Sequence, residues 1–274
     1  MMFERYFPLT IAATLDSFSN IEEIRIREGK KLSVVDKLGI NELDFYVTNK
    51  FIKDFFSAVC SYSVYALTEE IKNGYITLPQ GHRIGFCGRC ITENGEIKSI
   101  TDITGINIRI AREIIGCSDE IFKLFNKEIK NTVIVSPPNC GKTTYLRDLI
   151  RNYSDDFNMV SVVDERGEIA PYFEGSSVFN LGKNTDVLRF CPKCRGMMLM
   201  LRTMNPKIIA TDEIGTNNDA TAIYEILNSG VKIFTTFHGF GISDLKKRFR
   251  GWDVFDYAVL LNQKKETEEI VCLK

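Results

Sequence analysis

The run Ser136-Pro137-Pro138-Asn139-Cys140-Gly141-Lys142-Thr143-Thr144 gathers a lysine, two adjacent hydroxyls and a glycine in one short turn. It follows the apolar segment Thr132-Val133-Ile134-Val135 and opens into Tyr145-Leu146-Arg147-Asp148-Leu149-Ile150, so it reads as strand, loop and helix. Such a loop aims successive backbone N–H groups and the positive end of a helix at one spot, which suits a polyphosphate. The stretch from Ser136 to Thr144 is therefore expected to hold a nucleoside triphosphate, ATP, together with Mg2+. Gly141 lets the backbone approach the phosphates, Lys142 reaches the β- and γ-phosphates, and the Thr143 hydroxyl sits on the metal. The first position, usually glycine, is Ser136; Pro137 and Pro138 must supply by rigidity the turn that glycine supplies by freedom.

Hydrolysis needs a second group of residues. The apolar strand Lys207-Ile208-Ile209-Ala210-Thr211 ends in Asp212 and Glu213. Asp212 is expected to hold Mg2+ through its water shell, and Glu213 to orient and deprotonate the attacking water. Another acidic strand end, Val162-Val163-Asp164-Glu165-Arg166, follows the phosphate-loop helix. If its strand lies near the first one, Asp164 is a further metal ligand and Glu165 a second catalytic carboxylate in the same crevice; otherwise it is a turn held by Arg166. The strand end Thr235-Thr236-Phe237-His238 offers hydroxyls and an imidazole for sensing the γ-phosphate, although a surface histidine satisfies the same pattern.

These groups need a scaffold, and 274 residues have room for two modest domains or one large one. A 44% hydrophobic and 26% charged composition fits an ordinary globular protein, and a net charge of −1 argues against nucleic acid as a partner. No apolar run of about 18 residues is present, so no spanning helix is expected. The segment 1–15 reads poorly as a secretion signal, and a cytosolic location is expected. Eight cysteines then read as thiols. The pairs Cys87/Cys90 and Cys191/Cys194 could instead share a metal ion or be redox active.

The first hundred or so residues read as a small α+β domain, 1–115. It contains a hairpin over 21–35, a helix over 49–62 and a second over 64–73. Short strands follow at 74–78, 81–90, 97–103 and 105–112, with a turn at 93–96. From 116 to 274, helices alternate with buried apolar runs, which predicts a mostly parallel sheet with crossover helices. The predicted strands are 132–136, 159–164, 177–181, 207–212, 231–236, 257–261 and 270–273. The predicted helices are 118–126, 142–152, 194–204, 217–228 and 243–251. A basic loop is expected over 182–195 and a solvated turn over 264–269.

The order of the phosphate loop, Asp164-Glu165, Asp212-Glu213 and Thr235-Thr236-Phe237-His238-Gly239 resembles the secretion ATPases of type II and type IV systems, a RecA-like branch of the P-loop ATPases. More closely, Pro137-Pro138 with Gly141-Lys142-Thr143-Thr144, Leu146-Arg147-Asp148-Leu149, Val163-Asp164-Glu165-Arg166, Cys191-Pro192-Lys193 before Gly196-Met197-Met198, Asp212-Glu213-Ile214-Gly215 and Ile108-Arg109-Ile110-Ala111-Arg112-Glu113 together resemble the stage III sporulation protein AA family. The resemblance covers nearly the whole chain. It implies a RecA-like P-loop NTPase core behind a smaller α+β domain, assembled as a homo-hexameric ATPase ring. It also implies a place in the cytoplasm of the mother cell of an endospore-forming bacterium, docked on subunits of the membrane channel to the forespore. By similarity, Asp164-Glu165 corresponds to the family's Asp box and His238 to its His box.

A ring of this kind needs a cation supplied across the subunit interface to stabilise the transferring phosphoryl group. Arg83, Arg89, Arg109, Arg112, Arg195 and Arg202 are candidates, with Arg109 and Arg112 foremost because they sit where the two domains join. Two other functions remain open at this point: a nucleotide-gated ring scaffold with little hydrolysis, and a RecA-like nucleic-acid motor.

Overall fold

Alternation of apolar and polar residues builds the first part of the chain, and unbroken apolar runs build the second. The computed structural model describes residues 6–18, 20–36, 38–60, 74–78, 82–173 and 176–274. Contacts divide the chain into two units, Met1–Ala111 and Arg112–Lys274.

In the first unit, β1 (Glu23–Arg27), β2 (Lys31–Asp36), β3 (Gly39–Tyr46), β4 (Tyr75–Thr77), β5 (Arg83–Glu93) and β6 (Glu96–Arg109) form one sheet in the order β3-β2-β1-β6-β5-β4. Every pairing in it is antiparallel. One face packs Ile24, Ile26, Leu32, Val34, Ile84, Ile106 and Ile108 against residues of α1 (Leu9–Asp16) and α2 (Asn49–Val59), while the other stays polar. Thr48 caps α2 by accepting the Phe51 amide at 3.1 Å. The two strands expected at 97–103 and 105–112 are one, β6, which runs through a register shift with Asp102 in the left-handed region at φ 46°. The turn at 93–96 carries Asn94 and Gly95 at φ 52° and 83°, the signs that a tight hairpin of this twist requires. The helix expected over 64–73 lies outside the described residues.

The second unit is a sheet of seven strands between two helical layers. Its elements are α3 (Asp119–Leu124), β7 (Thr132–Ser136), α4 (Lys142–Asp155), β8 (Val160–Asp164), a two-residue ribbon of β9 (Tyr172–Phe173) and β10 (Ser176–Ser177), β11 (Thr185–Arg189), α5 (Lys193–Thr203), β12 (Ile208–Ile214), α6 (Asn217–Asn228), β13 (Lys232–His238), α7 (Ile242–Arg248), β14 (Tyr257–Leu261) and β15 (Thr267–Cys272). The order is β11-β8-β12-β13-β7-β14-β15, parallel except for the last pair. Val133 and Val135 join the core under α5, α6 and α7, while Ile134 joins the core under α3 and α4. Burial on both faces is why β7 is buried at every position and carries three successive apolar residues, Val133 to Val135, rather than alternating ones.

Three sequence expectations change here. β8 is not beside β7, because β12 and β13 lie between them. All four strands are buried runs of similar composition, so their local pattern carries no order. The strand expected at 177–181 is β11, farther along, inside the segment read as a basic loop. Asn184 is spent on the end of α4, its amide donating to Ser154 Oγ at 2.8 Å and its side chain to Ser154 O at 3.0 Å, so pairing starts only at Thr185. The final turn is shorter than 264–269: Asn262 Oδ1 accepts the amides of Lys264 and Glu266 at 2.8 and 3.1 Å, and β15 begins at Thr267.

α5 rests on the sheet through Gly196, where an added Cβ would lie 2.6 Å from Val163 Cγ1 and 3.3 Å from Leu188 Cδ2. That close approach sets the depth at which α5 sits beside β8 and β11. Gly196→Val is expected to destabilise the protein by about 2 kcal/mol or more through overpacking, measured by urea unfolding; an unchanged midpoint would show that α5 has room to spare.

Candidate functional site

Parallel order places the carboxyl ends of β7, β12 and β13 along one edge of the sheet, so the loops after them share a crevice. At the end of β7 the chain turns through Asn139 (φ 63°) and Gly141 (φ 87°) and enters α4 at Lys142. Gly141 takes a left-handed conformation where a side chain would also meet Lys265 Cβ at 3.4 Å. Lys142 is only 5% exposed, and its ammonium donates to Ser136 O at 2.9 Å, Pro137 O at 2.8 Å and Ser136 Oγ at 3.3 Å. The hydroxyl that replaces the usual glycine thus becomes an acceptor for the lysine. Burial pushes the Lys142 ammonium below the ordinary lysine range, against the pull of Asp212 and Glu213.

Thr143 Oγ1 donates to Asp212 Oδ2 at 2.7 Å. The other Asp212 oxygen accepts the Thr236 hydroxyl and, at 3.0 Å, the Glu213 amide; that amide also donates to Thr236 Oγ1 at 2.9 Å. Glu213 sits at a register shift between β12 and β13 with φ 48°, a strained backbone for a glutamate. Its side chain is held on both oxygens: Oε1 accepts His238 Nε2–H at 2.8 Å, and Oε2 pairs with Arg166 Nη1 at 2.6 Å. Its carbonyl accepts the Lys193 ammonium. Burial pushes the Glu213 carboxyl up, but the His238 hydrogen bond and the Arg166 and Lys193 charges outweigh it and keep the group below the ordinary glutamate range. Glu213 is therefore a carboxylate at neutral pH.

Asp164 is 2% exposed and both its oxygens are used by backbone: Oδ1 accepts the Glu168 amide at 2.9 Å and Oδ2 the Ala170 amide at 2.8 Å. Burial raises its pKa although these amides pull the other way. It closes the turn after β8. The same turn is clasped to the phosphate-loop helix by Arg147, which donates to Ile169 O at 2.9 Å, Glu168 O at 3.2 Å and Arg112 O at 3.0 Å and lies 4.1 Å over the Phe179 ring. Its neighbour Asp148 accepts the amides of Gly116 and Ser118 at 3.0 and 2.8 Å. The Arg147-Asp148 pair in α4 thus anchors the chain on both sides of the loop.

Of the residues singled out in the sequence, Lys142 is bonded to Ser136 and Pro137, and Thr143, Asp212, Thr236, Glu213 and His238 form a second hydrogen-bonded group that starts at the next residue of α4. Asp164 stands outside the Thr143–Asp212 contact as a turn closure, and the exposed Glu165 accepts the Lys193 amide at 3.2 Å at the start of α5. Arg109 belongs to the first unit, where Nε is 3.6 Å from Glu23, and Arg112 opens the second. Within the first unit Arg83 stacks on Tyr75 at 3.8 Å and Arg89 pairs with Asp102 at 2.9 Å. Sequence reading missed Arg166 and Lys193 as partners of Glu213, and did not separate Thr236 from Thr235, whose buried hydroxyl has no partner among the described residues. The Cys194 thiol donates to Asp219 Oδ1 at 3.4 Å and burial lifts it to about 11, unlike a reactive thiolate. Among the described residues no three His, Cys, Asp or Glu side chains gather as a metal cage. Mg2+ held between phosphates needs only one or two protein oxygens, which Thr143 and Asp212 provide side by side.

Asp164→Ala strands two buried amides and is expected to cost about 2–4 kcal/mol in urea unfolding. Full stability in that variant would return Asp164 to the pool of metal ligands.

The model of the family described as "Sporulation stage III, protein AA" matches residues 9–273. Stage III sporulation protein AA of Bacillus subtilis (strain 168) is 42% identical over 256 residues, covering 89% of this chain and 83% of that protein. Among solved structures, the ATPase DotB of Yersinia pseudotuberculosis superimposes with a TM-score of 0.62 at 15% identity, over 97% of this chain and 78% of its own. The pilus retraction motor PilT with bound ADP gives 0.60 at 15% identity, over 92% and 77%. At that identity the likeness shows the fold alone, an α/β core of the RecA-like P-loop NTPase class. Among the described residues no helix is long and apolar enough to cross a membrane. With its family model matched almost end to end and a relative 42% identical over most of both chains, the chain belongs to the stage III sporulation protein AA family.

Proposed function

We propose that the protein binds ATP with Mg2+ at the Ser136–Thr144 loop and hydrolyses it, as the motor of a channel complex between mother cell and forespore. The observation that carries this reading is the 2.7 Å contact between Thr143 and Asp212 with Glu213 next in the chain. It joins a phosphate loop, two hard oxygens for Mg2+ and a carboxylate base at one spot. When bound, Mg2+ neutralises charge on the phosphates, and Thr143 and Asp212 would hold it. The loop amides and the α4 N-terminus bind the phosphates. Lys142 turns its ammonium from the Ser136 and Pro137 carbonyls toward the β- and γ-oxygens. Glu213, ionised and fixed by its partners, orients water for in-line attack and takes its proton. Thr236 fixes Asp212, and His238 fixes Glu213 from the strand beside β7.

Family membership supports the role in sporulation, and the fold shared with the ATPase DotB and the retraction motor PilT supports an ATP-driven motor. We place the chain in a homo-hexamer on the cytoplasmic, mother-cell side, reaching the membrane through channel subunits. Arg109 or Arg112 of an adjacent subunit supplies the cation that completes the site.

Phosphate release measured against protein concentration tests this reading. A rate per subunit that rises steeply with concentration, requires Mg2+, and falls by about a hundredfold or more in both Lys142→Ala and Glu213→Gln is expected. Tight ATP binding without hydrolysis in the assembled state would leave a nucleotide-gated scaffold instead.

A further inference from the structure

Glu213 occupies a backbone conformation that glutamate does not keep without restraint, and four groups restrain it. Thr236 and His238 come from β13 and Lys193 from the start of α5. The fourth, Arg166, comes from the turn after β8, and its guanidinium closes on Oε2 at 2.6 Å. That turn is fixed at two points: Asp164 takes the amides of Glu168 and Ala170, and Arg147 of the phosphate-loop helix takes the carbonyls of Glu168 and Ile169. A continuous chain of contacts therefore runs from the helix that starts at Lys142, through Arg147 and the 165–170 turn, to the Glu213 carboxylate.

We propose that Arg166 is a positioning residue that holds the Glu213 carboxylate in its working orientation, so that the turn after β8 serves hydrolysis by aiming the base rather than by binding metal or nucleotide. This rests on Glu213 being the base. His238 alone fixes one oxygen and leaves the carboxylate free to swing about it; the second contact removes that freedom. Misplacing a catalytic group by about 1 Å costs on the order of a hundredfold in rate. Arg166 is half exposed, with 50% of its side chain accessible, so its removal leaves the fold intact.

The test compares wild type, Arg166→Ala, Arg166→Lys, Glu213→Gln and the Arg166→Ala/Glu213→Gln double variant. Readouts are kcat, Kd for a fluorescent ATP analogue with Mg2+, and the urea midpoint. Arg166→Ala is expected to lower kcat by about tenfold or more while Kd stays within about twofold and the midpoint holds. Arg166→Lys recovers part of the loss. The double variant is no slower than Glu213→Gln, because Arg166 acts only through that side chain. Wild-type kcat in Arg166→Ala, a loss of ATP affinity that matches the loss of rate, or a further drop in the double variant would each overturn the proposal. If Glu213→Gln stops turnover and Arg166→Ala does not slow it, the function stands and only the role of Arg166 falls. If Glu213→Gln runs at the wild-type rate, or wild type binds ATP without hydrolysing it, the base assignment falls and takes this proposal with it.

Discussion

The hydrogen bond between Thr143 and Asp212 joins side chains 69 residues apart, and most of the second unit exists to let it form. The hydroxyl must stand at the first turn of α4, which fixes where β7 ends and how the loop turns through Asn139 and Gly141. The carboxylate must stand at the end of β12, two strands away, with β13 between them. A parallel sheet brings the ends of β7, β12 and the intervening β13 to one edge, and helices on both faces keep such a sheet dry. The apolar runs of β7, β12 and β13 follow from the demands of that contact.

The same edge concentrates charge that a protein interior does not tolerate unpaired. Asp164, Asp212 and Glu213 face Lys142, Arg147, Arg166, Lys193 and His238, and each of their carboxylate oxygens finds a donor. Taking a buried member such as Asp164 or Arg147 away leaves a half-satisfied network, which costs more than a network never built. Asp164 shows the result: an acid expected at the metal is instead occupied with backbone amides, because a turn packed against the phosphate-loop helix has nowhere else to put them. Arg147 does the complementary job with carbonyls, and its burial holds it at about 10, well below the usual guanidinium range.

What the sequence made legible was local. The phosphate loop, the acids at the ends of β8 and β12 and the helical periods of α4 and α6 depend on neighbours in the chain, and a reader of spacing finds them. Strand order does not: Val160–Asp164 and Ile208–Ile214 look alike as buried runs, and the crossover lengths permit either beside β7. β11 escaped because it is an edge strand whose residues are all half-buried, so its apolar signal is weak. Arg166 read as a clasp within its own turn and Lys193 as part of a basic loop, since their partner lies in a distant strand, and Thr235 and Thr236 differ only in which way a pleat turns them. Composition carried no trace of the Arg147 clasp, although its residues stood in the motif that marked the family.

Crystals grown with ADP and Mn2+ in place of Mg2+ test the central claim most directly, through the anomalous signal of the metal. The account predicts one peak beside the Thr143 hydroxyl and the Asp212 carboxylate, with the nucleotide phosphates on the loop amides between Ser136 and Thr144. A peak at Asp164, or phosphates bound away from that loop at saturating nucleotide, would contradict it.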